Sequence, residues 1–180
     1  MLGLVNSLFS EFVIDSYDLA VWQAVLDRTA FNSGGIYSAG EQYTDAETQG
    51  LVVALAEHKN VPVADVLVRF GSYLYPHLMA TQAGAKTSAL DFWQFIAQVP
   101  EVTHFKVRQT LPHAKPPSFT LEGEPGKMTF MYQSERKLCF LAEGLIMAAA
   151  QARHVTIELN HKQCMHKGHS HCLIEINGHA

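Results

Sequence analysis

Charge is scarce in this sequence: Asp, Glu, Lys and Arg make up only 17% of its 180 residues, with 17 acidic side chains against 13 basic ones. The formal net charge of -4 excludes the diffuse positive field on which binding to nucleic acids and anionic lipid depends. Apolar runs long enough to cross a bilayer are missing too. The longest, Leu138 to Ala150, is broken by Glu143; it falls short of the ~20 residues a spanning helix needs and reads as a buried helix. The N-terminus, MLGLVNSLFSEFVID, lacks a basic stretch and carries Glu11 and Asp15 where an export signal would be apolar or small, so a cytoplasmic protein is expected. Three cysteines cannot all pair as disulfides, and in a reducing compartment they read as thiols or metal ligands. What is abundant is apolar surface. At 48% hydrophobic the chain has the composition of a globular protein, with a length that fits one domain or two subdomains sharing a core.

Hydrophobic periodicity divides the chain into a helical half and a mixed half. Leu2, Val5, Leu8, Phe9, Phe12 and Val13 fall on one face of a helix, and Asp18 can cap a second through Val21, Trp22, Val25 and Leu26. Thr44 and Glu47 have capping-box spacing ahead of Leu51, Val52, Leu55 and Ala56. Pro62 opens a helix through Val66, Leu67, Phe70 and Leu74 that Pro76 kinks or ends, and Ser88 is the expected cap of another that runs to Pro100. Beyond residue 100 the period shortens. Ser118 to Glu122 and Lys127 to Gln133 flank a Glu-Pro-Gly turn as hairpin strands, Arg136 to Arg153 reads as a helix burying Leu138, Leu141, Leu145, Ile146 and Ala149, and Val155-Ile157-Leu159 and Cys172-Ile174-Ile176 alternate as strands. The expectation is an α+β fold: helices over residues 1–84, then a mixed subdomain over 85–180 with a four-stranded antiparallel sheet, and a hinge near Gln82-Ala83-Gly84-Ala85.

Three groups of residues can carry chemistry. His161, Cys164 and Cys172 lie in one hairpin-like stretch, with Cys139 upstream, and imidazole and thiolate donors suit tetrahedral zinc. Unrelated thiols beside a solvated histidine-rich loop are the competing reading, and His166, His169 or His171 could each replace His161. A closed four-ligand site would be structural, because catalytic zinc keeps a position open. In MYQSER, the Tyr132 and Ser134 hydroxyls face one side of a strand and Arg136 follows; this can bind a carboxylate, although such a trio also suits a solvated face. His104, in the apolar-flanked EVTHFKV, is either a core histidine or a proximal ligand to an iron porphyrin. Without a Cys-x-x-Cys-His string, such a heme would be held non-covalently.

Taken together, His104, Pro116-Pro117-Ser118-Phe119, the Tyr132-x-Ser134-x-Arg136 triplet, KLCFLAEGL and the opening MLGLVNSLF resemble the heme nitric oxide/oxygen binding (H-NOX) domains over nearly the whole chain. The resemblance implies heme b, with His104 as axial iron ligand, Tyr132, Ser134 and Arg136 on the propionates, and Pro117 and Val5 pressing the macrocycle out of plane. It implies a sensor and no enzyme. Oxygen-binding members carry a Tyr supported by a Trp and an Asn where this sequence has Leu141, Phe9 and Leu74, so the expected ligands are NO and CO, without a stable oxygen complex. A zinc-bearing subset of the family implies Zn2+ at Cys139, His161, Cys164 and Cys172, with thiol oxidation as a second input. NO would weaken the His104 bond and let the subdomains rotate. Because the chain ends soon after its last strand, the expected output is a separate histidine kinase, or a diguanylate cyclase or phosphodiesterase, with no role for nucleic acid or membrane. The rival is a heme-free, zinc-containing small-molecule module similar to vinyl reductase-like domains.

Overall fold

Asp18 accepts a hydrogen bond from the Val21 N–H and Thr44 accepts one from the Glu47 N–H, so the side chains expected to start two helices do start them. The computed structural model describes residues 1–81, 87–99 and 117–178. The Gln82-Ala83-Gly84-Ala85 hinge and His104 lie outside the described residues. Among those described, six helices and four strands form an α+β fold: α1 (Gly3–Ser16), α2 (Leu19–Asp27), α3 (Asp45–Lys59), α4 (Val63–Met79), α5 (Phe92–Val99), β1 (Ser118–Glu124), β2 (Lys127–Gln133), α6 (Cys139–Ala152), β3 (Ile157–Gln163) and β4 (Cys172–Gly178). None of these helices is long and apolar enough to cross a membrane.

Three expected boundaries differ. The helix α4 continues through Pro76 to Met79, its Pro76 carbonyl still accepting from the Ala80 N–H. Helix α5 starts after Asp91 rather than at Ser88. Asp91 Oδ1 accepts from the Gln94 N–H at 2.9 Å and Gln94 Oε1 from the Asp91 N–H at 3.3 Å, a reciprocal cap of the capping-box kind. Helix α6 begins at Cys139, because Lys137 has a φ of 52°, outside helical geometry.

Helices α1 to α4 enclose one core, in which Phe9, Val13, Leu51, Leu55 and Val66 are fully or almost fully buried. A second core lies between α6 and the sheet. The sheet order is β1-β2-β4-β3, antiparallel throughout, and alternation points Met128, Phe130 and Tyr132 of β2 and Cys172, Ile174 and Ile176 of β4 inward. Their register pairs Tyr132 with Cys172, Phe130 with Ile174 and Met128 with Ile176, giving cross-strand apolar contacts on one face.

The two cores meet where α4 crosses α6. A Cβ on Gly144 would lie 2.0 Å from the Val68 carbonyl oxygen and one on Gly71 2.3 Å from that of Leu141, so only glycine lets these backbones approach so closely. Ser72 Oγ donates to the Gly144 carbonyl at the same crossing.

Candidate cofactor cavity and metal centre

Between α4, α5, α6 and the sheet lies a cavity of about 330 Å3, walled by such side chains as Leu74, Leu78, Ile96, Phe130, Leu141 and Leu145. Leu141 and Leu145, expected in the core, are only part-buried because they face this space. The polar part of the lining includes Tyr132, Ser134 and Arg136, which the structure brings together with Pro117, Val5, Leu74 and Leu141 around the cavity. Phe9 is not on that wall. It is buried behind it, edge-on to Phe70 at 5.1 Å between ring centroids.

Strand β2 delivers Tyr132, buried by its inward register, and the Leu138 N–H donates to its hydroxyl at 3.2 Å. Burial raises its pKa, against a hydrogen bond with Ser134 and that from Leu138, so Tyr132 stays neutral with a polar hydroxyl at the cavity edge. Ser134 Oγ accepts from the Arg136 N–H. Arg136 Nε donates to Asp45 Oδ1 at 2.8 Å, and the Met1 nitrogen donates to the same oxygen at 2.9 Å. Burial alone would raise the Asp45 carboxyl; its bonds to Arg136 and Met1 outweigh this and hold it below the usual carboxylate range. Asp45 therefore ties the guanidinium to the start of α3, a partner that no local sequence pattern announces.

An apolar chamber with a cation and two hydroxyls at its edge suits a flat apolar molecule bearing carboxylates. Porphyrin fits that description: its ring would lie against the leucines, and its propionates would take charge-assisted bonds from Arg136. A second cavity of about 420 Å3 shares Met1, Val5, Arg136, Leu138 and Leu141 with the first and is bounded on its far side by α3 and His166.

The metal-ligating candidates also converge. Cys139 at the start of α6, His161 on β3, Cys164 after it and Cys172 on β4 place their donor atoms within 4.8 Å of one another. A register shift between His161 and Gln163 marks the irregularity that lets β3 turn into this cluster. His161 Nδ1 lies 2.5 Å from Glu143 Oε1, while its Nε2 is buried with no hydrogen-bond partner among the described residues. An acid on one ring nitrogen and an orphaned lone pair on the other is the arrangement a metal-bound histidine uses. His166 Nε2 is instead bonded to the Lys137 carbonyl and His171 Nδ1 to Ser170.

Burial, together with the neighbouring Cys172 and Cys164, pushes the Cys139 thiol far above its ordinary pKa, and burial also raises Cys172. Thiols so close together stay protonated alone; a divalent cation would offset the charge of thiolates and release those protons. Glu143 was visible in the sequence only as an interruption of an apolar run. Its spacing of four from Cys139 puts both on one helix face, and that was the available signal.

The chain matches the family model described as Haem-NO-binding over residues 2–161. Among solved structures it is similar to an H-NOX protein from S. oneidensis in the Fe(II)NO ligation state, at 27% identity and TM-score 0.89 with both chains fully covered. An NMR structure of the H-NOX domain from Shewanella oneidensis in the Fe(II)CO state matches at 27% identity and TM-score 0.85, covering 99% of each chain. The fold is also that of the Fe(II) unliganded H-NOX protein from K. algicida, at 20% identity and TM-score 0.90 with 100% and 97% coverage. No curated protein matches the sequence. The chain belongs to the Haem-NO-binding, or H-NOX, family of heme-based gas sensors, which are not enzymes.

Proposed function

We propose that this protein is a nitric oxide sensor with non-covalent heme b in the first cavity and Zn2+ at the four-residue cluster. The cavity carries the reading: an apolar enclosure with Arg136, Tyr132 and Ser134 on its lining. Heme would supply a ferrous iron with one position open to NO or CO. His104 would ligate the iron, Arg136, Tyr132 and Ser134 would hold the propionates, and Pro117 and Val5 would bear on the ring. Leu74 and Leu141 offer bound gas no hydrogen-bond donor, with Phe9 filling the space behind; this favours neutral NO and CO over O2, which develops negative charge and needs a donor.

NO would loosen the hold of His104, and residues 1–84 would then rotate against 85–180, a two-state change that a partner can read. The partner class is a separate histidine kinase, diguanylate cyclase or phosphodiesterase in the cytoplasm. Zinc would join the start of α6 to β3 and β4, and peroxide oxidation of its thiolates would release it and add a redox input. The orphaned His161 Nε2 and the Glu143 contact support this metal reading.

The test is the visible absorption spectrum of purified, reduced protein, exposed in turn to air and to NO. The expected spectrum is unchanged by air and shifts with NO to that of five-coordinate iron. A stable change in air would overturn the selectivity argument, and absence of any porphyrin band after expression with ample heme would replace the sensor with a heme-free zinc-containing small-molecule module.

A further inference from the structure

One turn of chain joins the metal cluster to the carboxylate-binding edge of the cavity. We infer that His166 is a positioning residue across this turn, through which an ion at the cluster sets how firmly Arg136 holds a carboxylate; the inference rests on the heme and metal reading above.

Lys137 stands between Arg136 and α6 with a φ of 52°, a left-handed conformation that a non-glycine residue keeps only when its surroundings impose it. Its N–H donates to the Ser134 carbonyl at 3.1 Å within the turn. Its carbonyl is held from elsewhere: His166 Nε2, 29 residues further along the chain, lies 2.8 Å from that oxygen. A carbonyl can only accept, so Nε2 carries the proton. The His166 ring stacks on Phe140, at 5.6 Å and 24°, and Phe140 also neighbours the ligand candidate His161 at 5.5 Å.

His166 belongs to a single 3-10 turn, Met165–Lys167, that hangs from the cluster itself. The Met165 N–H donates to Cys172 Sγ at 3.2 Å and the Lys167 N–H to the Cys164 carbonyl at 2.9 Å. An ion bound by Cys164 and Cys172 would fix both supports of this turn, and with them His166, Lys137 and the backbone that carries Arg136. Arg136 lines both cavities, and Lys137 and His166 line the second beside it. Ordering that backbone before a carboxylate arrives removes an entropic cost from binding. The ion would thus act on the cavity without touching its contents.

The test is the rate at which the full-length, zinc-loaded holoprotein loses hemin to excess apomyoglobin. His166→Phe keeps an aromatic ring over Phe140 but has no donor; it is expected to lose hemin about five- to tenfold faster than wild type, the scale of one lost hydrogen bond, while retaining its zinc. His166→Gln returns an N–H and should restore the wild-type rate. Stripping zinc should accelerate wild type by a similar factor and leave His166→Phe unchanged, and in an Arg136→Ala background His166→Phe should add nothing. Wild-type hemin loss from His166→Phe, or an equal effect of zinc removal on both proteins, overturns the inference. A folded wild-type protein that carries neither porphyrin nor zinc overturns the functional reading beneath it.

Discussion

The candidate cofactor cavity and the Cys-His cluster are built on opposite principles. Four donors from α6, β3, β4 and the loop between these strands stand within 4.8 Å of one another, so the cluster is assembled and its histidine is already oriented by Glu143. The cavity is mostly apolar wall, and the Arg136 guanidinium on its lining is engaged by Asp45. A small ion with directional bonds needs a rigid donor set, whereas a large flat ligand is held chiefly by apolar area and needs only a few polar contacts to orient it. Helix α6 serves both: its first residue is a ligand candidate, and Leu141 and Leu145 are cavity wall.

Separating α4 from α6 breaks the comparison most severely. Gly144→Val places atoms where the Val68 backbone already lies, and the expected loss is about 3 kcal/mol, or roughly 6–12 °C in Tm for a chain of this size. A thermal melt of the variant checks this; an unchanged Tm would mean that the helices do not depend on their close approach. The next effect is confined to the metal side. Glu143→Gln removes the carboxylate from His161 and should weaken zinc binding about 10- to 100-fold in competition with a chelating dye, while hemin affinity measured with zinc in saturating excess stays at the wild-type level. Equal weakening of both ligands would show that the two regions are not separable.

The smallest effect concerns Asp45. Its folded-state pKa lies below the unfolded value, so its contribution to stability is present above the unfolded pKa and is lost as pH falls through the folded one. Asp45→Asn should therefore flatten the decline in Tm on acidification below about pH 4 and change little near neutrality, because the carboxylate is 42% exposed and solvent screens the pair. A variant that melts with the wild-type acid dependence would remove the ion pair from any account of stability.

Much of the helical half was readable because its cues are local. Asp18 and Thr44 cap the helices expected of them, and Leu51, Leu55, Val66 and Phe70 are buried where the 3.6-residue period puts them. Local cues misled where a neighbour competed for the role. Ser88 resembles a cap, but Asp91 wins through its exchange with Gln94. Glu47 completes the capping-box spacing with Thr44, yet its carboxylate accepts hydrogen bonds from Ser33 and Tyr37, tying down the loop before α3. Candidate ligands were visible as residue types, but His161 could not be separated from His166, His169 and His171 by spacing. The structure brings His161 to the cysteines through its position beside Glu143 and turns His166 to the Lys137 carbonyl.

By itself the sequence determined the α+β class, the burial faces of the helices, the alternation that turns Tyr132 and Cys172 inward, and the resemblance that leads to heme, because each depends on residue type at short, regular spacing. Only the tertiary structure decided that Asp45 meets Arg136 across 91 residues, that α4 and α6 touch at Gly71 and Gly144, and that the cluster of three cysteines and His161 lies one turn from the cavity. Those pairings are set by how two cores pack against each other, and the shape of that packing is not encoded at any single stretch of chain.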